Sequence, residues 1–220
     1  MSNNIFNEFD FKRNTGYWND YYAKNVALQT PSPFAKFVYS NYLNAGKDLL
    51  ELGCGNGRDS LYFVSKGINV TAIDASDVAI NALATKGGGG NTRFFCGDFV
   101  DSDLIYSRTY DYCYSRFSLH AIGAAQEEKV LDNIKKSLRS EGKFFVEVRS
   151  IHDKLYGKGV EVSKHCFVND GHFRRFIDKE AFEELLNNKG YKVEYSEESI
   201  DFAPFGDEKP PVIRVVASIK

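Results

Sequence analysis

Apolar residues in this chain switch repeatedly between two periods. Leu49-Leu50-x-Leu52, Ile68 to Asp74, Arg93 to Cys96, Tyr110 to Ser115 and Lys143 to Arg149 are short and densely apolar or β-branched, the pattern of strands buried on both faces. Between them, apolar positions recur at helical spacing: Leu61 and Val64, then Ala79, Ile80 and Leu83, then Val130, Leu131, Ile134 and Leu138, the last stripe stopped by Gly142. Five strand-helix alternations in about 105 residues predict a doubly wound α/β sheet. Upstream, Ser32-Pro33 reads as an N-cap followed by a first-turn proline, opening a helix with Phe34, Phe37, Val38 and Tyr42 on one face. Trp18, Tyr21 and Tyr22 also share a helical face, which predicts a short helix lying across the domain. Downstream the rhythm breaks. Residues 150–177 show no clear period and read as a long irregular lid or binding loop. Asp178 then caps a helix carrying Phe182, Leu185 and Leu186, and two apolar runs, Tyr191 to Tyr195 and Val212 to Ile219, close the chain.

Candidate chemistry begins at Glu51-Leu52-Gly53-Cys54-Gly55-Asn56-Gly57-Arg58, where the first strand runs into three alternating glycines and then a helix. Glycine at every second position lets the backbone turn sharply and approach a neighbour closely, and a helix N-terminus favours an anionic group. A tight turn with no ligand is the bland alternative. Asp74 ends the next strand 21 residues after Gly53, where a carboxylate can accept both hydroxyls of a ribose. This supports a nucleoside without choosing among them, and Ser76, not Asp74, suits the cap of the following helix.

The spacing G-x-G-x-G, preceded two residues earlier by an acid, resembles the first motif of class I S-adenosylmethionine-dependent methyltransferases, over roughly residues 45–150. The resemblance implies a Rossmann-like, seven-stranded, mostly parallel sheet with an antiparallel closing hairpin, and S-adenosylmethionine as cofactor. It places Glu51, Gly53, Cys54, Gly55, Gly57, Arg58, Asp74, Ala75 and Ser115 around the cofactor, Asp98 on the adenine amino group and Phe99 on its ring. N-terminal aromatics such as Tyr17 and Trp18 are expected to close over the methionine end, although plain core packing is as natural a reading. The stretch Arg116-Phe117-Ser118-Leu119-His120 falls where such enzymes present the acceptor. It lacks both Asp/Asn-Pro-Pro-Tyr and Pro-Cys, the signatures of base methylation.

Composition narrows the partner. A 220-residue chain with 43% hydrophobic and 15% aromatic residues can bury its own core, so one domain is expected across 1–220, with an aromatic helical arm over 1–45 and a lid insertion over 150–177. A net charge of −2 argues against nucleic acid. Four scattered cysteines argue against zinc or a disulfide framework and read as buried free thiols in a reducing cytoplasm, and no metal site is expected. No stretch suits a signal peptide or a membrane span. Oligomeric state is not legible.

Charge is unevenly placed. The window 149–175 holds Arg149, Lys154, Lys158, Lys164, Arg174 and Arg175 against Asp153, Glu161 and Asp170, and three of the four histidines, His152, His165 and His172. Guanidinium groups bind phosphate or carboxylate bidentately. A solvated loop with scattered charge is the competing view. The reading predicts a small anionic acceptor, phosphorylated, nucleotide-linked or carboxylated, and O-methylation. Arg116, Arg149, His152, Tyr156, His165, Arg174 and Arg175 would hold it, with His120 or His172 as base. The lid also resembles, more weakly, methyltransferases of bacterial surface-polysaccharide and natural-product pathways. The competitors are a non-catalytic S-adenosylmethionine-binding sensor or assembly protein and a nicotinamide oxidoreductase, the latter disfavoured by the glycine spacing and by Asp98-Phe99.

Overall fold

The computed structural model describes residues 5–24, 30–84 and 92–219. The glycine run 87–90 and the side chains of Phe6, Phe9 and Phe11 lie outside the described residues. Two helices precede the sheet, α1 (Ile5–Lys24) and α2 (Pro33–Tyr42). There follow β1 (Asp48–Leu52), α3 (Arg58–Ser65), β2 (Asn69–Asp74), α4 (Asp77–Ala84), β3 (Thr92–Cys96), α5 (Asp103–Tyr106), β4 (Tyr110–Arg116), a 3-10 turn (Leu119–Ala121), α6 (Ala124–Ser137) and β5 (Leu138–Arg149). Three short strands come next, β6 (Val160–Ser163), β7 (Cys166–Asn169) and β8 (His172–Arg175), before α7 (Lys179–Asn188), β9 (Tyr191–Ser199) and β10 (Val212–Ile219).

The main sheet has seven strands in the order β3-β2-β1-β4-β5-β10-β9. The first five are parallel, and β10 runs antiparallel to both β5 and β9. The expected sheet and closing hairpin are therefore present. Alternate side chains of each strand enter two apolar layers. On one face Leu50, Leu52, Cys113, Phe144 and Val146 pack with Ile105 of α5, Val130, Leu131 and Ile134 of α6, and Phe182 and Leu186 of α7. On the other, Leu49, Tyr112, Tyr114 and Phe145 pack with Phe34 and Val38 of α2, Phe63 of α3, and Ile80 and Leu83 of α4.

Helix starts follow the sequence signals. Ser32 Oγ accepts from Ala35 N–H at 2.9 Å, and Asp178 from Ala181 N–H at 2.9 Å. Asp59, in the first turn of α3, accepts from Ser32 N–H (2.8 Å), Ser32 O–H (2.7 Å) and Tyr114 O–H (2.8 Å), so one buried carboxylate ties α2, α3 and β4 together. Order in the sheet reverses between β1 and β4, and in open α/β sheets ligands bind beyond the strand ends at such a point.

Three expectations need correction. Leu138 belongs to β5 and not to the helix before it, and Gly142 sits inside that strand, because pairing of Leu138 with Tyr110 starts the ladder early. Residues 150–177 are not irregular throughout: β6, β7 and β8 form a second, antiparallel sheet. Its second hairpin closes on Asp170-Gly171 between paired Asn169 and His172, with φ of 50° and 76°, the left-handed pair that a two-residue hairpin turn requires. Finally, the four cysteines are free, but Cys96 is exposed.

Candidate functional site

A cavity of about 740 Å³ opens beyond the C-terminal ends of the parallel strands, within the usual range for small-molecule sites. The glycine turn forms its floor. Gly53, at φ 74°, has no room for a side chain: a Cβ there would lie 2.6 Å from Cβ of Ser118, whose hydroxyl donates to the Leu52 carbonyl at 2.5 Å. A Cβ on Gly55 would lie 2.1 Å from the Tyr22 hydroxyl, and one on Gly57 2.5 Å from Leu83. The close approach expected of these glycines is made, in each case, by a side chain of this protein.

Asp74 is placed by two backbone donors, Gly55 N–H to Oδ2 at 2.7 Å and Ser76 N–H to Oδ1 at 2.9 Å, leaving each oxygen a lone pair for a diol. Burial raises its pKa, against the two N–H donors. Glu51 is 3% exposed, accepts from Ser60 O–H at 2.5 Å, and is pushed up to about 8 by burial and by Asp59. Asp98 accepts from Val100 N–H at 2.8 Å and stands beside Phe99 and Ala75 on the cavity wall. Arg58 faces the cavity with Nε 3.4 Å from Asp59, and Cys54 lines it with a thiol that burial pushes well up. Ser115 is fully buried, donates to Ser118 at 3.2 Å and does not reach the wall, which corrects its placement; Ser118 takes that position.

Helix α1 roofs both ends. Tyr17, Trp18, Tyr21 and Tyr22 line the cavity. Tyr22 sits over Gly55, its phenol raised by burial and Asp74, and Tyr17 stacks on His172 at 4.0 Å between ring centres.

Across the switch point the walls turn basic. Arg116, at the end of β4, donates from Nε to Glu147 at 2.8 Å, and the other oxygen of that fully buried carboxylate accepts from Arg214 at 2.7 Å. The Arg116 guanidinium lies 4.3 Å from the ring centre of Phe117, which has the left-handed φ of 56°, uncommon for a bulky residue. Arg149, ending β5, pairs with buried Asp153. Arg174 of β8 has no carboxylate in ion-pair range among the described residues, and burial together with Arg149 lowers its pKa. His120, 5% exposed, and His172, 8% exposed, line the same end, both held below the usual histidine range by burial and nearby guanidinium groups, His172 at about 4. Nδ1 of each, and Nε of Arg174, are buried without a hydrogen-bond partner.

Four acceptor-side expectations fail on geometry. Arg175, adjacent to Arg174 on a strand, points the other way: it pairs with Glu127 of α6 and donates to the carbonyls of Ile122 (3.0 Å) and Leu119 (3.3 Å). His152 is exposed and bonds to Glu198 at 2.8 Å, which raises its pKa. Tyr156 and His165 bond to each other at 2.8 Å and stay off the cavity wall. Conversely, Phe117, Ser118 and Gln126 line the cavity without having been singled out as site residues. The φ of Phe117 has no sequence signal; Gln126, accepting from Gly123 N–H at 3.0 Å, stands at the third position of α6, where a capping side chain is expected.

A doubly wound sheet with an acidic residue before G-x-G-x-G, a carboxylate ending β2 and an Asp-Phe pair after β3 defines a class I S-adenosylmethionine-dependent methyltransferase. A methyltransferase-domain family profile matches residues 22–196, and the chain belongs to that family. It is a methyltransferase whose cofactor is S-adenosylmethionine. An uncharacterized methyltransferase of Schizosaccharomyces pombe is 27% identical over 194 residues, 82% of this chain and 73% of that protein. A phosphoethanolamine N-methyltransferase of Triticum aestivum is 26% identical over 194 residues, but the chain spans 37% of its length. Among solved structures, the 1,6-didemethyltoxoflavin-N1-methyltransferase of Burkholderia thailandensis, with its substrate and S-adenosylhomocysteine bound, superposes with a TM-score of 0.72 at 21% identity, covering 96% of this chain and 86% of that one. The donor set fits the cofactor. Asp74 is oriented for a diol, Asp98 and Phe99 suit an amino-bearing planar base, and buried Glu51, protonated without a cation beside it, ionises beside a cationic group and so suits one.

Proposed function

We propose that this methyltransferase acts on a small anionic acceptor bound beyond β4 and β5, and that it methylates a hydroxyl oxygen by in-line transfer. One observation carries the reading: cavity charge divides at the topological switch point. The carboxylates Glu51, Asp74 and Asp98 stand at the ends of β1, β2 and β3, and the guanidinium groups of Arg116, Arg149 and Arg174 stand at the ends of β4 and β5 and on β8. The acidic side suits a cation and the basic side an anion.

In this reading Asp74, Asp98, Phe99 and Glu51 hold the cofactor, with Arg58 toward its carboxylate, and Tyr17, Trp18 and Tyr22 of α1 exclude water above it. When bound, S-adenosylmethionine supplies a sulfonium-activated methyl group and an excellent leaving group. The protein's work is alignment and desolvation. His120, neutral in its basic surroundings, carries its hydrogen on the buried Nδ1 and takes the acceptor proton at Nε2. The positive charge it gains among Arg149 and Arg174 is tolerable once an anion fills that end, so the base acts when the proper acceptor is present. Residues 150–177 form the lid on this side, with His172 and Arg174 on its inner face. The wheat relative is named for phosphoethanolamine, an acceptor that carries an anionic group; its name also keeps open an amine nucleophile, which a neutral His120 serves equally.

The test is release of S-adenosylhomocysteine over a panel of phosphorylated, carboxylated and neutral alcohols and amines. Anionic members should be preferred, and Arg174→Ala should lower kcat/KM for them about ten- to a hundredfold with cofactor affinity unchanged. Equal turnover of neutral acceptors would refute the reading.

A further inference from the structure

Of the three guanidinium groups on the basic wall, two are already matched by buried carboxylates. Arg149 faces Asp153, and Arg116 shares Glu147 with Arg214 behind it. Four guanidinium groups thus meet two carboxylates, and the region carries two uncompensated positive charges. Glu208, which also lines the cavity, is paired with Lys154 at 2.8 Å and alters nothing in that balance. Arg174 and Arg149 are close enough for Arg149 to depress the Arg174 pKa. Like charges are stable at such separation when an anion bridges them.

The polar atoms point the same way. Nε of Arg174 and Nδ1 of His120 and of His172 are buried and unpartnered, and both histidines are more than nine-tenths buried. Buried polar groups in folded proteins are almost always paired, so three orphans on residues that line one end of one cavity are the groups a ligand there would satisfy. Arg174 Nε can only donate, and a neutral imidazole can donate from Nδ1. With the free Nη groups of Arg149 and Arg116, these donors exceed what one carboxylate can accept and suit an oxyanion with three terminal oxygens.

We infer that the acceptor binds through a dianionic phosphate monoester seated between Arg174 and Arg149. This rests on the anionic-acceptor reading and narrows it to one chemical class. The phosphate serves as a handle and is not the methylated group: its charge offsets the two uncompensated positive charges and lets the neighbouring His120 accept a proton.

Calorimetry on the full chain saturated with S-adenosylhomocysteine tests this with inorganic phosphate and with acetate, at pH 8, where phosphate is mostly dianionic. Phosphate should bind at least tenfold more tightly than acetate. Arg174→Gln should weaken phosphate at least tenfold and leave S-adenosylhomocysteine affinity within twofold, and Arg174→Lys, which keeps the charge, should recover part of the loss. Acetate binding as tightly as phosphate would overturn the dianion while leaving an anionic acceptor in place. Unchanged phosphate affinity in Arg174→Gln would put the anion elsewhere. If neither anion binds to the S-adenosylhomocysteine complex, the anionic acceptor itself fails, and this inference with it.

Discussion

Glu51 illustrates how a single side chain can serve the site at a cost to the fold. Buried beside Asp59, it holds its proton up to about pH 8, well above a free glutamate. A group whose folded pKa is raised contributes stability that is fully present below its unfolded pKa and is lost as pH rises through the folded one. Thermal unfolding of the ligand-free protein should therefore show stability falling from about pH 4.5 to pH 8, by on the order of a few kcal/mol from this residue. Glu51→Gln should flatten that slope, and an unchanged slope would show that Glu51 titrates normally. Asp74 makes the complementary case. Its two backbone donors are satisfied equally by the oxygen of an amide only in part, so Asp74→Asn should fold but lose most of the stabilisation by S-adenosylhomocysteine, which for the native protein is about 2.7 kcal/mol at a hundredfold excess over Kd. Differential scanning calorimetry with and without the ligand measures both.

Arg175 carries its consequence at the level of the elements it joins. One guanidinium links β8 to the start of α6 through Glu127 and to both ends of the turn bearing His120 through the carbonyls of Leu119 and Ile122. The small sheet is thereby anchored to the loop that presents the histidine. Arg175→Met leaves Glu127 buried and unpaired, which should cost about 3–5 kcal/mol, and the double variant with Glu127→Leu should recover much of it. Urea denaturation of the two variants decides the point; equal loss in both would mean the pair is not what anchors β8. Adjacent arginines on a strand face opposite sides, so Arg174 and Arg175 could not both meet a ligand. The alternation was legible in the sequence only once residues 172–175 were known to be a strand, and the Asp170-Gly171 turn was the available signal for that.

Helix α1 touches the molecule as a whole. It packs on α4 and on β8, the first beside the cofactor motifs and the second on the acceptor side. The main sheet's two apolar layers are built from β1 to β5, β9 and β10 with α2 to α7 and, among the described residues, draw none from α1. Removing residues 1–24 should therefore leave a cooperative unfolding transition while weakening S-adenosylhomocysteine binding at least tenfold, since Tyr22 and Trp18 line the cavity roof. An uncooperative, unfolded truncation, seen by circular dichroism, would make α1 part of the core instead. The alternation of apolar runs and helical stripes determined the doubly wound sheet, and the spacing of Glu51, the three glycines, Asp74 and Asp98-Phe99 determined the cofactor, because these depend on local order and on strand ends that topology aligns. Which of the charged residues after Arg149 face the cavity was decided by tertiary structure alone. Arg174, Arg149 and His172 were turned inward, and Arg175, His152 and His165 were consumed by Glu127, Glu198 and Tyr156, through pairings between residues 9 to 48 positions apart. Charge in a sequence has no direction until its partners are in place.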